Sequence, residues 1–236
     1  MLKARGLAGM AAAMAALLGQ PLFALAQEVR HIPIHVQPYY EAAKTPGGPR
    51  RVAVGRSFDA LLASDRRAEI VAARDQVANG PRLVTPMTMM VLAIRLYDVG
   101  LRDDAVFWFY AAKDRYSTLA DVVDVSAGLA QVEDAMRSFV RLAGPAINGY
   151  AFCDIANQQA LRQKALAWVE ANPYEAMFLE QLSARPGDRR ANLQRSLLEI
   201  KANAEKERAY FDDAKNRDNF AAARKKNAMD EKYCWK

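Results

Sequence analysis

Two histidines, two cysteines and three spaced glutamates are the residues whose types could do chemistry in this sequence. His31 and His35 are four apart, the spacing of a metal pair on a helix, but Pro33 lies between them and resists helix. In an extended segment the two imidazoles would share a face. No cysteine or carboxylate accompanies them there, so the spacing does not define a metal site. A Ser-His-Asp or Cys-His nucleophile would need one of these same histidines, and both fall in an irregular stretch. There is no G-x-S-x-G elbow, no phosphate loop and no G-x-G-x-x-G turn. The sequence therefore nominates no catalytic, metal or cofactor-binding residue, and no cofactor is expected. Glu170, Glu175 and Glu180 could act as the paired carboxylates of a glycosidase; their plainer use is to cap helices or pair with arginine.

Cys153 and Cys234 are an even count, which in an exported chain predicts a disulfide. Such a bond would contribute at most roughly 4.5 kcal/mol in the chain-entropy model, and it would tie down residues that otherwise fray. Two unpaired thiols are the alternative. Tyr233 and Trp235 flank Cys234, apolar bulk that predicts docking of the terminus onto the body. Two basic groups could anchor a partner: Arg185, Arg189 and Arg190 near a turn, and Arg224, Lys225 and Lys226 on the last predicted helix. The same side chains also serve solubility.

Export is predicted by residues 1–26. Lys3 and Arg5 precede an apolar run from Leu7 to Leu18, Gln20 and Pro21 interrupt it, and Ala24-Leu25-Ala26 offers a small-residue cleavage site. That is the layout of a signal peptide cut after Ala26. The run is too short and alanine-rich for a good spanning helix of about 20 strongly apolar residues, although an N-terminal membrane anchor is the competing reading. No comparable stretch follows, so no transmembrane segment is expected after cleavage. Position 27 is Gln rather than Cys, which leaves no site for the usual lipid attachment. If the source is a Gram-negative bacterium, the expected location is the periplasm. The formal charge of +6 loses two positive charges with the leader. This modest balance, with export, argues against nucleic acid as a partner.

Behind these residues the pattern is helical. Residues 27–56 form an irregular N-terminal arm, punctuated by Pro33, Pro38, Pro46, Gly47, Gly48 and Pro49, with short extended pieces near 32–36 and 51–54. Residues 57–236 are expected to form a single α-helical domain of about seven helices. Ser57 and Ser64 can cap the first two, and Gly80-Pro81 stops the second. Thr85-Pro86 is a strong start signal, and Gly100 fits the turn that follows residue 99. Asp103 is placed as the cap of a helix over 105–115. Another helical region runs from 118, breaks near 126–128 and ends at Gly144-Pro145. A further helix spans 150–171, Asn172-Pro173-Tyr174-Glu175 caps the next, and Arg185-Pro186-Gly187 turns the chain. From Asp188 a long charged helix is predicted past 225, with Leu193, Leu197, Ile200, Ala204, Phe211 and Ala214 along one stripe. Eleven basic and eight acidic residues between Leu193 and Lys236 suit a solvated face. The apolar succession Val106 to Tyr110 belongs at the centre of the fold. In 148–154, Gly149 is expected to turn the chain, with Tyr150 and Phe152 anchoring it.

Residues 86–119 carry a resemblance. Leu92, Ala93, Leu96, Gly100, Ala105, Phe109 and Ala112 stand at the spacings of a tetratricopeptide-type repeat, and Ala111-Ala112 is similar to the end of a Sel1-type hairpin. The same residues suit any close-packed αα-hairpin. The pattern departs at Ser117, where the repeat usually has Pro, and at Asp59 and Asp134, one repeat to either side. A single hairpin, not an array, is what this resembles. The resemblance implies protein–protein recognition through a helical surface. The leading expectation is a non-enzymatic, monomeric binding protein whose partner is an envelope or secreted protein, with an inhibitor or immunity protein against an envelope-acting toxin as one concrete form. The alternatives are a cell-envelope hydrolase using paired carboxylates, or a structural envelope protein.

Overall fold

Thr85 and Pro86 open the central hairpin as the sequence predicts. Thr85 Oγ1 accepts from the Thr88 amide at 3.0 Å, and Pro86 begins α3 (Pro86–Asp98) where its missing N–H costs no helical bond. Gly100, at φ +80°, takes the left-handed conformation that glycine enters without a Cβ penalty and leads into α4 (Arg102–Val122). Ala93, Ala105 and Ala112 are fully buried between these helices, beside the equally buried Leu96 and Phe109. Burying Phe109 alone contributes about 2–3 kcal/mol.

The computed structural model describes residues 27–36, 50–52, 54–126 and 130–235; the predicted signal peptide and part of the N-terminal arm lie outside them. Packed around α3 and α4 are α1 (Arg56–Ala63), α2 (Arg67–Asn79), α5 (Ala130–Ala151), α6 (Ile155–Ala171), α7 (Arg189–Asp212), α8 (Ala214–Lys226) and α9 (Met229–Tyr233). Short 3-10 turns lie at Pro81–Leu83 and Glu175–Phe178. The strands β1 (Ile34–Val36) and β2 (Arg50–Val52) pair in parallel with Ile34 opposite Arg50, near the two extended pieces expected in the arm. The fold is all-α, and one core draws side chains from Ile32 to Leu197.

Several boundaries differ from expectation. The helix α4 is continuous through 115–118, where Arg115 and Thr118 are buried on its inner face and Ser117 is exposed on the other. Asp103 does not cap it: Leu101 precedes the first turn, and Asp103 accepts from Tyr150 Oη at 2.8 Å and Asn157 Nδ2 at 3.0 Å. Gly144-Pro145 does not end α5, which continues to Ala151. Pro145 forfeits the bond to the carbonyl four residues back, but Ala143, Ala146 and Ile147 beside it are buried, and that packing offsets the loss. Gly149 is helical and not a turn; a Cβ there would sit 2.5 Å from the Tyr233 ring, so its role is close approach. The chain turns instead at Cys153-Asp154, where Asp154 caps α6 through the Asn157 amide at 3.0 Å.

Asn172 closes α6 by donating to the Trp168 carbonyl at 2.8 Å, and only a 3-10 turn follows. Ser57 is exposed within α1, which begins after Gly55, and Ser64 Oγ accepts from the Arg66 amide at 3.1 Å in the turn before α2. Gly80 ends α2 and Gly187, at φ +99°, turns the chain before Asp188 caps α7, both as expected. The long charged helix is α7, but it stops at Asp212. Asp213 caps α8 through the Asn216 amide at 2.9 Å. Arg217 Nη1 donates to the carbonyls of Phe211 at 2.7 Å and Asp212 at 2.9 Å, satisfying groups that a helix end leaves open. The chain then doubles back, so Phe220 meets Phe211 at 5.1 Å and Phe152 at 5.2 Å. Ala214 is exposed, and the apolar stripe ends at Phe211.

Candidate functional site

Residues 29–32 and the C-terminal segment meet in a clasp. Cys153 and Cys234 form a disulfide with Cα atoms 5.6 Å apart. Arg224, almost fully buried, pairs with Asp230 at 2.7 Å, donates to the Gly149 carbonyl at 3.1 Å and lies 3.3 Å from Cys234 Sγ. The Trp235 ring sits between the Arg102 and Arg30 guanidiniums, at 3.9 and 4.1 Å. Arg102 donates to the carbonyls of Tyr233 at 3.3 Å and Trp235 at 2.5 Å. The Val29 amide donates to the Lys232 carbonyl at 2.9 Å, and the Val29 carbonyl accepts from Tyr97 Oη at 2.6 Å and the Trp235 indole at 3.3 Å. Beneath it, Asp98 accepts from the Ile32 amide at 2.8 Å and pairs with Arg95 at 2.7 Å and His31 Nδ1 at 3.1 Å. Burial outweighs these partners and raises the Asp98 carboxyl from its ordinary 3.8 to about 6. His31 is thus a partner of Asp98. No group of three or more metal-ligating side chains gathers among the described residues.

The glutamates proposed for hydrolysis have separate surroundings. Glu170 pairs with Lys201 at 2.7 Å, Glu175 pairs with Arg82 at 3.1 Å, and Glu180 is exposed. Of the six basic residues read as partner-binding, three are tied into the fold. Arg189 donates to the carbonyls of Met177 and Leu182, and Arg185 Nε donates to the Ala120 carbonyl at 3.1 Å. Arg224 belongs to the clasp. Arg190, over the Phe178 ring at 5.1 Å, is exposed, as are Lys225 and Lys226.

Two buried polar groupings staple the helices. Gln158 Nε2 donates to Tyr110 Oη at 3.1 Å and Glu207 Oε1 at 2.6 Å, while Arg162 pairs with buried Asp114, so α4, α6 and α7 are joined. Burial raises Tyr110 to about 12 and also raises Asp114. Arg115, with no exposed surface, donates to the carbonyls of Pro81 at 2.7 Å, Val84 at 2.9 Å and Asn172 at 2.6 Å. Burial lowers it to about 10. Most of their polar atoms bond within the chain, which suits a structural role, while Arg115 Nε and Gln158 Oε1 are buried without a hydrogen-bond partner among the described residues.

Two cavities adjoin the seam between α4 and α5, the larger of them also walled by the start of α3 and by the 174–182 segment. A cavity of about 480 Å³ is lined by Met87, Leu119, Val132, Tyr174, Leu179 and Leu182, among others. Its threonines, Thr85 and Thr88, are hydrogen-bonded to each other at 2.9 Å. Leu179 is 48% exposed, and Leu83, on the 3-10 turn packed against that of Glu175–Phe178, is 65% exposed. A second cavity, about 360 Å³, has Tyr116, Met136 and Val140 among its lining and Lys113, Arg137 and Arg141 as its cations. Leu119 follows Tyr116 by one helical turn and Met136 follows Val132 by one, so the larger cavity touches the α4/α5 pair one turn from the smaller. Neither lining, as far as the described residues go, contains a carboxylate or a histidine. Sequence reasoning missed the seam. The available signals were Lys113 inside the apolar second helix and the Arg137/Arg141 pair at i,i+4.

No protein-family model matches the chain, and no solved structure matches it. An uncharacterized protein of Haemophilus influenzae is 32% identical over 209 residues, covering 89% of this chain and 81% of that protein. The chain belongs to the same family as that protein. Among the described residues, no helix is long and apolar enough to cross a membrane.

Proposed function

We propose that this is an exported binding protein that takes a segment of a partner protein into the α4/α5 seam. The observation that carries the reading is the seam itself: two adjoining cavities with apolar walls, exposed leucines nearby and no carboxylate or histidine among the described lining residues. The resemblance of residues 86–119 to a tetratricopeptide or Sel1-type hairpin supports a recognition role. The leader pattern together with the disulfide supports export to an oxidising compartment. An inhibitor or immunity protein against an envelope-acting toxin is the concrete form this reading favours. The test is a pull-down with the oxidised protein from envelope and secreted fractions of its host. A stoichiometric protein partner, lost on Leu179→Glu and Val132→Glu, is the expected result. A partner retained by both variants would move the site elsewhere.

A second reading, an envelope hydrolase, is favoured by one feature. A polar cleft of about 300 Å³ holds Asp121, Glu199 and Ser196, with Ser196 Oγ donating to Asp121 at 2.6 Å. Release of sugar or peptide from cell-wall material, abolished by Asp121→Asn or Glu199→Gln, would establish it. A structural role through self-association of the charged helix fits less well, because α7 stops at Asp212 and α8 folds back. A monomer by light scattering is expected.

A further inference from the structure

The cationic end of the seam says what kind of segment it takes. Lys113 and Arg141 have no carboxylate within ion-pair distance among the described residues. Arg137 does have one, the i,i+4 partner Glu133 on its own helix. Asp134, exposed on the same turn, is a further acid beside Tyr116, and Glu207, which accepts from Gln158, attracts Lys113 from α7. The neighbouring acid on α4, Asp114, is taken by Arg162. Lys113 lies 5.5 Å over the Phe109 ring, half-buried, and burial lowers its pKa. An ammonium in that setting gains from any anion that reaches it. Tyr116, Met136 and Val140 supply apolar surface between the cations, and the wider cavity one turn away is apolar.

Resting on the binding reading above, we infer that the seam selects a partner segment with two parts. Apolar side chains fill the larger cavity beside Leu119 and Val132, and one or more carboxylates follow, meeting Lys113 and Arg141. The charge complementarity is local. It is carried by two cations at the rim, and it sets specificity more than total affinity. The basic residues near Arg189 and Arg224 contribute little to it, since they are spent inside the fold.

The test is selection of random twelve-residue peptides displayed on phage against the purified, oxidised protein, followed by fluorescence anisotropy with the enriched peptides. Enrichment of apolar residues adjoining Asp or Glu is expected. The enriched peptides should bind the Lys113→Glu/Arg141→Glu variant roughly tenfold or more weakly, and the loss should shrink as salt is raised. Circular dichroism and light scattering confirm that the variant is folded and monomeric; if it does not fold, Arg141→Glu alone, at an exposed position, gives the same sign with a smaller loss. Enriched peptides without acidic bias, binding wild type and variant equally, overturn this inference and leave the binding reading standing. Lysine-rich peptides overturn it outright. If no peptide is enriched, both the inference and the binding reading fail.

Discussion

At the clasp, cations and aromatic rings are engaged with each other: Arg102 holds two carbonyls and the Trp235 ring, and Arg224 holds Asp230 and a backbone carbonyl beside the disulfide. Along the α4/α5 seam the same residue types stand with less company: among the described residues Lys113 and Arg141 have no carboxylate within ion-pair distance, Asp114 and Glu207 attract Lys113 while bonded to Arg162 and Gln158, and apolar walls line the space beside them. The difference separates holding from binding. A buried or half-buried charge whose hydrogen bonds are filled by its own chain stabilises the fold and offers a ligand little. A charge left unfilled at the rim of an apolar groove adds little to the fold and keeps its interaction for a partner.

The comparison breaks most readily at the disulfide. Replacing both cysteines by serine should cost up to roughly 4.5 kcal/mol, measured by urea unfolding of variant and wild type, with peptide binding at the seam unchanged in the folded variant. Next is the pH response beneath the clasp. Asp98 titrates near 6 in the folded protein against an ordinary 3.8, so the native state holds this proton more tightly than the unfolded chain. Its contribution is fully present below 3.8 and is lost as pH rises toward about 6, by roughly 1–3 kcal/mol in all. Asp98→Asn should remove that fall from a stability–pH profile; a slope of equal size in the variant would assign it to another group. Gly149→Ala places a Cβ where the Tyr233 ring now lies and should cost about 1–3 kcal/mol, with faster hydrogen exchange over 229–235. The smallest effect belongs to the seam. Arg141→Ala, at an exposed position, should change stability by no more than about 0.5 kcal/mol. A loss of several kcal/mol would show that Arg141 holds the fold just as the clasp arginines do, and the contrast would fall.

What was legible in the sequence was local. Thr85-Pro86, Gly100 and the turn at Gly187 act within a few residues, and each does in the structure what its chemistry predicts. The cysteine pair was legible because counting needs no geometry. The misreadings share a cause, which is tertiary packing outvoting a local signal. Pro145 and Gly149 are helix breakers by propensity, yet the core and the Tyr233 ring place both inside α5. Asp103 has a cap's chemistry but serves Tyr150 and Asn157, far away in sequence. The end of α7 at Asp212 depends on Arg217 reaching back to its last carbonyls, a contact with no counterpart in the apolar pattern. The site was less legible still. Basic residues drew attention by clustering, and Arg185, Arg189 and Arg224 turned out to be fold residues. Lys113 and Arg141 stand far apart in sequence, and only the antiparallel packing of α4 on α5 makes them neighbours of one groove.

The most direct test of a binding seam is the amide spectrum of the ¹⁵N-labelled, oxidised protein titrated with a peptide selected on it. Saturable shifts are expected along Lys113–Leu119 and Val132–Arg141, with the clasp residues Arg102, Gly149 and Tyr233 unmoved. Shifts centred on the clasp or on the cleft at Asp121 and Glu199, with the seam silent, would contradict it.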